Sequence, residues 1–174
     1  MYVLIISPTF PKYHPKAGEP TYFEQKLKNT LYDYPYTVIS QENGPDILIE
    51  ERKEHTVRAN YKYWAPRIKE VAEGKAVLSV RRWSGIPYNS KQIEIVQITK
   101  DNCPGTQFIS MHKPNPDEIY WNIDDRRVKE QLGAVAKHDG LSLEDFRRWF
   151  FPKPNKKDVL FEGAIIHFTK FRYK

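Results

Sequence analysis

The densest set of side chains that could do chemistry lies between Lys53 and Trp83, where cationic and aromatic residues are interleaved. Guanidinium groups bind phosphate through paired hydrogen bonds, and aromatic rings stack on nucleobases. A surface that carries both is typical of proteins that hold an unpaired nucleotide or a single strand. A solvated charged face whose aromatic residues belong to the core is the alternative interpretation. The members are Lys53, Arg58, Tyr61, Lys62, Tyr63, Trp64, Arg81, Arg82 and Trp83.

The same combination continues through the turn-rich segment that follows, up to Lys91. Trp83 and Tyr88 could flank a nucleobase there, with Arg81, Arg82 and Lys91 close to phosphates. A hairpin with a basic tip and no ligand is an equally good interpretation. The predicted binding residues are therefore Arg58, Tyr61, Trp64, Arg81, Arg82, Trp83, Tyr88 and Lys91.

Composition limits the class of protein. A chain of 174 residues with 40% hydrophobic and 29% charged residues is expected to form one domain over residues 1–174. The net charge of +6 favours polyanionic partners. Cys103 is the single cysteine, so an intrachain disulfide and a paired-cysteine metal site are excluded and a reducing cytoplasm is expected. The histidine spacings match no metal-ligand pair, and we predict neither a metal nor a cofactor.

The apolar opening run, Val3 to Ser7, is too short to be a signal peptide or to cross a bilayer. We read it as a buried strand and predict no membrane partner. Hydrophobic spacing and turn residues predict short strands interleaved with short helices, which is an α+β pattern. We expect a small curved, mostly antiparallel sheet that closes toward a barrel, with helices packed at its rim. The predicted helices are 22–32, 66–73, 126–138 and 143–151; the other predicted strands are 46–51, 55–58, 76–83, 92–98, 108–112, 118–123 and 164–171.

Local signals place three of the helix starts. Thr21 and Glu24 have capping-box spacing, and Ser142 with Asp145 repeats that arrangement. Pro66 is suited to the first turn of its helix, because the missing N–H is not needed there.

Lys53, Thr56 and Arg58 form a short motif in which a threonine follows a lysine by three residues and an arginine follows two later. A late carboxylate, Asp139, precedes a short amphipathic helix in the segment KHDGLSLEDFRRWF. In this order the two elements resemble the ASCH domain, a branch of the PUA-like superfamily of small β-barrels. The resemblance covers residues 46–171, and residues 1–45 are an N-terminal elaboration of that core.

The resemblance implies a catalytic set, because the bacterial acetylcytidine amidohydrolases of the family share the lysine, the threonine and a late glutamate. Lys53 would activate Thr56 and Asp139 would move the proton during hydrolysis of an acylated base. A structural ion pair between Lys53 and Asp139, with Thr56 as an ordinary strand residue, is the alternative. On a regular strand Thr56 and Arg58 share a face and Lys53 does not, so cooperation requires a turn near Glu54.

Three functions stay open at this point. The first is binding of single-stranded RNA or a modified nucleoside in a basic, aromatic cleft. The second is an amidohydrolase acting on N4-acetylcytidine or a related N-acylated nucleoside. The third is a protein-interaction domain without a nucleic-acid role. The sequence does not distinguish RNA from DNA or from a free nucleoside, and it does not determine the oligomeric state.

Overall fold

The computed structural model describes residues 1–174 and has an α+β architecture, as the sequence predicts. Its strands lie in three separate sheets rather than in one sheet that closes toward a barrel. The strands are β1 (Tyr2–Ile5), β2 (Thr37–Ile39), β3 (Ile47–Ile49), β4 (His55–Ala59), β5 (Leu78–Trp83), β6 (Gln92–Ile98), β7 (Gly105–Lys113), β8 (Tyr120–Ile123) and β9 (Val159–His167). The helices are α1 (Phe23–Leu31), α2 (Tyr61–Ala72), α3 (Leu132–His138) and α4 (Leu143–Phe150).

The largest sheet is antiparallel and has the strand order β4-β9-β7-β8. Its β9 strand is buried over most of its length, because it pairs with β4 on one side and β7 on the other. Gly163 is needed at one point of this pairing, since a Cβ there would lie 2.3 Å from the carbonyl oxygen of Arg58. The last strand was predicted at 164–171, whereas β9 begins earlier, at Val159, and ends at His167.

The second sheet has the order β1-β5-β6 and is mixed, because β1 runs parallel to β5 while β6 is antiparallel to it. A β-bulge interrupts the pairing between Val80 and Arg81. The hairpin of β2 and β3 forms the third sheet. Each of the three sheets has two edge strands that do not pair with another sheet, so no closed barrel is formed.

Two helices begin elsewhere than the sequence predicts. Helix α2 starts at Tyr61 because the Asn60 side chain accepts a hydrogen bond from the Tyr63 N–H, which leaves Pro66 inside the helix. Helix α3 starts at Leu132, after Gln131 in an extended conformation, and Asp124 and Asp125 adopt positive φ angles after β8.

Capping is confirmed at one helix and absent at another. Ser142 accepts a hydrogen bond from the Asp145 N–H and caps α4. The Thr21–Glu24 capping box does not form at α1, where Tyr22 occupies the cap in a left-handed conformation. The Glu24 carboxylate instead contacts Lys28 and Arg82.

A cluster of 26 buried hydrophobic residues forms the core and draws members from the whole chain, from Leu4 to Tyr173. The N-terminal region contributes Phe10, Phe23 and Leu27 to this cluster, so it packs into the same core as residues 46–171. None of the helices has the length and apolar character that crossing a membrane requires.

Candidate functional site

Lys53 and Asp139 meet at the centre of the molecule as a buried ion pair. The Lys53 Nζ donates to Asp139 Oδ1 at 2.6 Å and to the backbone carbonyl of Asp139 at 2.5 Å. The side chains are 1% and 5% exposed, respectively. Residues separated by 86 positions in the sequence are therefore in direct contact.

The backbone around Lys53 explains how this contact forms. Lys53 precedes β4, and its N–H donates to the Lys26 carbonyl at 3.1 Å and to Thr30 Oγ1 at 3.0 Å, both on α1. The Glu54 N–H donates to the carbonyl of His138 at the end of α3. Because the strand begins at His55, the alternation rule does not apply to Lys53, but the turn near Glu54 that cooperation with Thr56 was expected to require is not present in residues 50–54.

Burial shifts both partners of the pair toward their neutral forms. It lowers the pKa of Lys53 to about 8, an effect that the adjacent Asp139 charge opposes. It raises the pKa of Asp139, against the opposing charges of Lys53 and Arg58. The Phe23 ring lies 4.1 Å from the Lys53 Nζ and excludes water from one side of the ammonium.

Thr56 and Arg58 follow on β4, on the strand face that carries neither His55 nor Val57. Thr56 is 2% exposed, and neither hydrogen bond of the Lys53 ammonium goes to it. The Arg58 guanidinium donates to the carbonyls of Ile5 at 2.7 Å and Val57 at 3.1 Å, so it ties β4 to β1. The catalytic residues predicted from the resemblance are thus close in the fold, but only Lys53 and Asp139 are bonded to each other.

The N-terminal region, residues 1–45, covers this set of residues. Lys26 of α1 donates to the carbonyl of Gly140 at 2.9 Å, and Phe23 lies over Lys53. The proline-rich segment 7–20 packs on α4, where Lys16 pairs with Asp145 at 2.8 Å. Neither of the two principal cavities is lined by Lys53, Thr56 or Asp139. Lys53 and Asp139 are therefore shielded from solvent in this structure.

Five of the eight predicted binding residues lie on the β5–β6 hairpin: Arg81, Arg82, Trp83, Tyr88 and Lys91. Trp83 and Tyr88 pack with ring centroids 5.3 Å apart, and Tyr88 is 89% exposed. Lys91 is exposed on the same hairpin. Arg81 donates to Ser79 Oγ at 2.8 Å and lies 3.7 Å from Glu94, so part of its charge is compensated.

Arg82 lines a cavity of about 240 Å³ together with residues that the sequence analysis did not select. Its Nε donates to Glu24 Oε2 at 2.7 Å, and Tyr22 and Phe23 form part of the wall. No sequence signal could have identified these neighbours, because α1 and β5 are 58 residues apart and meet only through tertiary packing.

Tyr61 and Trp64 lie on α2 and pack against the core. The Tyr61 ring contacts Phe108 edge-on at 5.5 Å, and neither residue lines the cavity beside Arg82. The structure therefore places Arg82, Trp83, Tyr88 and Lys91 on one hairpin, where only Arg82 lines the cavity, and places Tyr61 and Trp64 in the core packing instead.

A second polar cluster in the interior was not predicted. The Tyr173 hydroxyl lies 2.8 Å from His55 Nε2 and 2.9 Å from His138 Nδ1. His167 Nε2 lies 3.0 Å from Gln107 Oε1, while the Nδ1 atoms of His55 and His167 are buried without a partner. Burial lowers the pKa of His167 to about 3 and holds that of His55 well below its usual value. The structure contains no group of His, Cys, Asp or Glu side chains arranged to hold a metal ion.

Comparison of the chain with protein-family models, with curated proteins and with solved structures gave no match.

Proposed function

We propose that this protein is an ASCH-type module of the PUA-like class that binds single-stranded RNA or a modified nucleoside. The cavity beside Arg82 would take the base, and the half-buried Trp83 with the exposed Tyr88 would extend the binding surface. The observation that carries the proposal is a cationic side chain, Arg82, in a cavity whose wall includes Tyr22 and Phe23, on a hairpin that also carries the packed rings of Trp83 and Tyr88. Bases stack on such rings regardless of sequence, and nearby cations neutralise phosphate.

The size of the cavity favours a single base or nucleoside. Its volume of about 240 Å³ is below the roughly 300–1,000 Å³ typical of sites for drug-sized ligands. Glu24 accepts from the Nε of Arg82 and the Trp83 carbonyl accepts from Nη1 at 3.5 Å, so Nη2 keeps its donors for a ligand. Lys91 adds a cationic side chain on the same hairpin without an ion-pair partner.

The contact between Lys53 and Asp139 supports the family assignment, since the two elements of the resemblance meet although 86 residues separate them. Under this proposal the PUA-like core is the four-stranded sheet with the β1-β5-β6 sheet beside it, left open instead of closed into a barrel. A cytoplasmic location is part of the proposal and rests on the single cysteine, Cys103, which is exposed and free.

Arg82→Gln is expected to weaken binding of a short single-stranded RNA by roughly 1–3 kcal/mol, the scale of a lost charge-assisted contact. Affinity of the wild type should fall steeply with added salt through counterion release. Fluorescence anisotropy titrations at several salt concentrations measure both effects. Arg52→Gln is the matched control, because Arg52 also pairs with a carboxylate, at 2.6 Å, but lies away from the cavity. Equal losses in the two variants, or no binding at low salt, would contradict the proposal.

The second candidate is amide hydrolysis of an N-acylated cytidine, and the property of the site that favours it is the lowered pKa of Lys53 beside a carboxylate. Water would add to the acetyl carbonyl, and the products would be acetate and the free amine of cytidine. The lowered pKa makes the neutral amine, the form that a general base requires, easier to reach near neutral pH than for an ordinary lysine. The buried Thr56 would be the nucleophile or the group that orients water.

Wild-type turnover of N4-acetylcytidine is expected to be weak, because Asp139 is shorter than the family's glutamate by one methylene. A misplacement of about 1 Å can cost about a hundredfold in rate. Asp139→Glu should therefore raise the rate, and Thr56→Val, which keeps the volume of the side chain, should abolish it. Chromatographic detection of cytidine measures the reaction. If no variant turns over acetylcytidine while all of them remain folded, the pair has only a structural role.

The third alternative, a protein-interaction domain, would use a different surface. The chain exposes a group of large apolar side chains near the β2–β3 hairpin, each about half accessible: Tyr32, Tyr34, Tyr36, Val38 and Leu48. This alternative gains weight only if both the RNA titration and the acetylcytidine assay are negative.

A further inference from the structure

A larger cavity lies on the other side of α4 from the proline-rich segment, between that helix, the end of β7 and the loop after α4. Its volume is about 490 Å³, which is in the range of small-molecule sites. Three cationic side chains line it, Lys113, Arg147 and Arg148, against one carboxylate, that of Glu144. None of the residues of the Lys53 site or of the Arg82 cavity takes part.

Lys113 is the most unusual member, because it is only 2% exposed and has no carboxylate within ion-pair distance. Its Nζ donates to the backbone carbonyls of Lys153, at 3.3 Å, and Pro154. Two carbonyl dipoles satisfy two of the three ammonium protons but supply no counter-charge. Burial and the nearby charges of Arg147 and Arg148 lower the pKa of Lys113 against the weaker opposing charge of Asp117, so the three cations are close enough to repel one another.

The two arginines approach from adjacent positions of α4. Arg147 is held in place, since its Nη2 donates to the carbonyls of Pro116 and Asp117 at 3.1 Å each. Arg148 makes no hydrogen bond and no ion pair within the protein, and it is half-buried. Converging cations without a paired carboxylate raise the free energy of the folded state, and a bound anion would remove that cost.

From this arrangement we infer that the cavity binds the phosphate group of a small organic phosphomonoester. Three cations match a dianionic group better than a monoanionic carboxylate, and the arginine forks match its oxygens. Ile119, Leu143 and Phe151 line the remainder of the cavity and would hold an apolar or planar body attached to the phosphate. The site is separate from the one proposed for RNA or a nucleoside, and either can fail without the other.

The test is calorimetric titration of the full chain with inorganic phosphate, phenyl phosphate and benzoate. Phenyl phosphate should bind once per chain, roughly tenfold or more tightly than inorganic phosphate because its ring buries apolar surface. Benzoate carries the same ring on a carboxylate and should bind at least about tenfold more weakly than phenyl phosphate. Arg148→Ala should weaken phenyl phosphate binding about tenfold or more without loss of folding, because Arg148 has no partner to lose. Glu144→Gln should strengthen it.

Arg127→Ala is the matched control, because Arg127 is exposed, makes no ion pair and does not line the cavity. Its affinity for phenyl phosphate should equal that of the wild type. Equal weakening in Arg148→Ala and Arg127→Ala, or no saturable binding of either phosphate, would overturn the inference. Benzoate binding as tight as that of phenyl phosphate would overturn the preference for phosphate. Both variants lie on the surface of the fold, so the test does not depend on a Lys113 variant that could unfold.

Discussion

Replacing Lys53 with methionine is expected to lower the free energy of unfolding by about 3–5 kcal/mol. The cause is that the variant leaves the Asp139 carboxylate buried without its cation, since the side chain is only 5% exposed and both Lys53 bonds go to that residue. The backbone carbonyl of Asp139 would lose its donor as well. Chemical denaturation followed by circular dichroism measures the change.

The companion variants separate the contribution of the pair from the cost of an orphaned charge. Asp139→Leu alone should destabilise by a similar amount, because Lys53 would then have to be neutral or unpaired in the interior. The double variant Lys53→Met/Asp139→Leu should recover most of the stability, since an apolar pair of similar volume removes both desolvation costs. The coupling energy from this cycle measures how strongly the two residues depend on each other.

Lys75→Met is the matched control. Lys75 pairs with Glu73 at 2.7 Å, a distance close to that of the buried pair, but its side chain is 69% exposed. Water solvates both charges there, and the change should stay within about 0.5 kcal/mol. If Lys53→Met is as mild as Lys75→Met, then water or another conformation reaches Lys53, and the site is more open than this conformation shows.

Acidification from pH 6.5 to pH 5 is expected to remove about 2 kcal/mol of stability through His167 alone. The pKa of His167 is about 3 in the folded protein, against 6.5 for the unfolded side chain. Below pH 6.5 the unfolded chain therefore binds a proton that the folded chain rejects, and stability falls until the pH passes the folded pKa. His55 should add a loss in the same direction, because its pKa is also well below the usual value.

The geometry explains why the interior rejects the proton. Gln107 Oε1 accepts from the Tyr173 N–H and lies 3.0 Å from His167 Nε2, so Nε2 carries the hydrogen of the neutral ring. A second proton would go to Nδ1, which is buried and has no acceptor. Protonated His167 would also lie close to Arg172, whose charge contributes to the lowered pKa.

Denaturation at a series of pH values tests this prediction with two variants. His167→Gln should reduce the dependence of the free energy of unfolding on pH in acid, because about one proton fewer is taken up on unfolding. His112→Gln is the control, because the His112 side chain is 46% exposed and near Asp158 on the surface. The same flattening in both variants, or a free energy that does not change between pH 6.5 and pH 5, would show that the buried histidines are not the cause.

Helix boundaries show where local sequence is informative and where it is not. Ser142 starts α4 as predicted, because capping involves atoms only three residues apart. Thr21 and Glu24 have the same spacing, yet Glu24 bonds to Arg82, which is 58 residues away. Pro66 was expected in a first turn, but the Asn60 cap starts α2 one turn earlier. A local signal is therefore lost when a long-range partner takes the same side chain, as at Glu24, or when another local cap lies upstream, as at Asn60.

The sequence by itself determined the α+β class, the approximate position of most strands and the residue types at the candidate site. These properties follow from hydrophobic periodicity, turn residues and short motifs, all of which act over a few neighbouring positions. The sequence also indicated that Lys53 and Asp139 belong to one site. That prediction came from a resemblance to a family and not from physical chemistry.

Only the tertiary structure decided how these residues are used. Three features depend on segments that are far apart in the chain. They are the burial of Lys53 under Phe23, the cavity that Arg82 shares with α1, and the convergence of Lys113 with Arg147 and Arg148. Residue type sets which charges are available, whereas the pKa of each group and its access to a ligand are set by desolvation and neighbouring charges in the packed interior. The pKa and the access of each group arise from long-range packing, which the spacing of residues along the chain does not reveal.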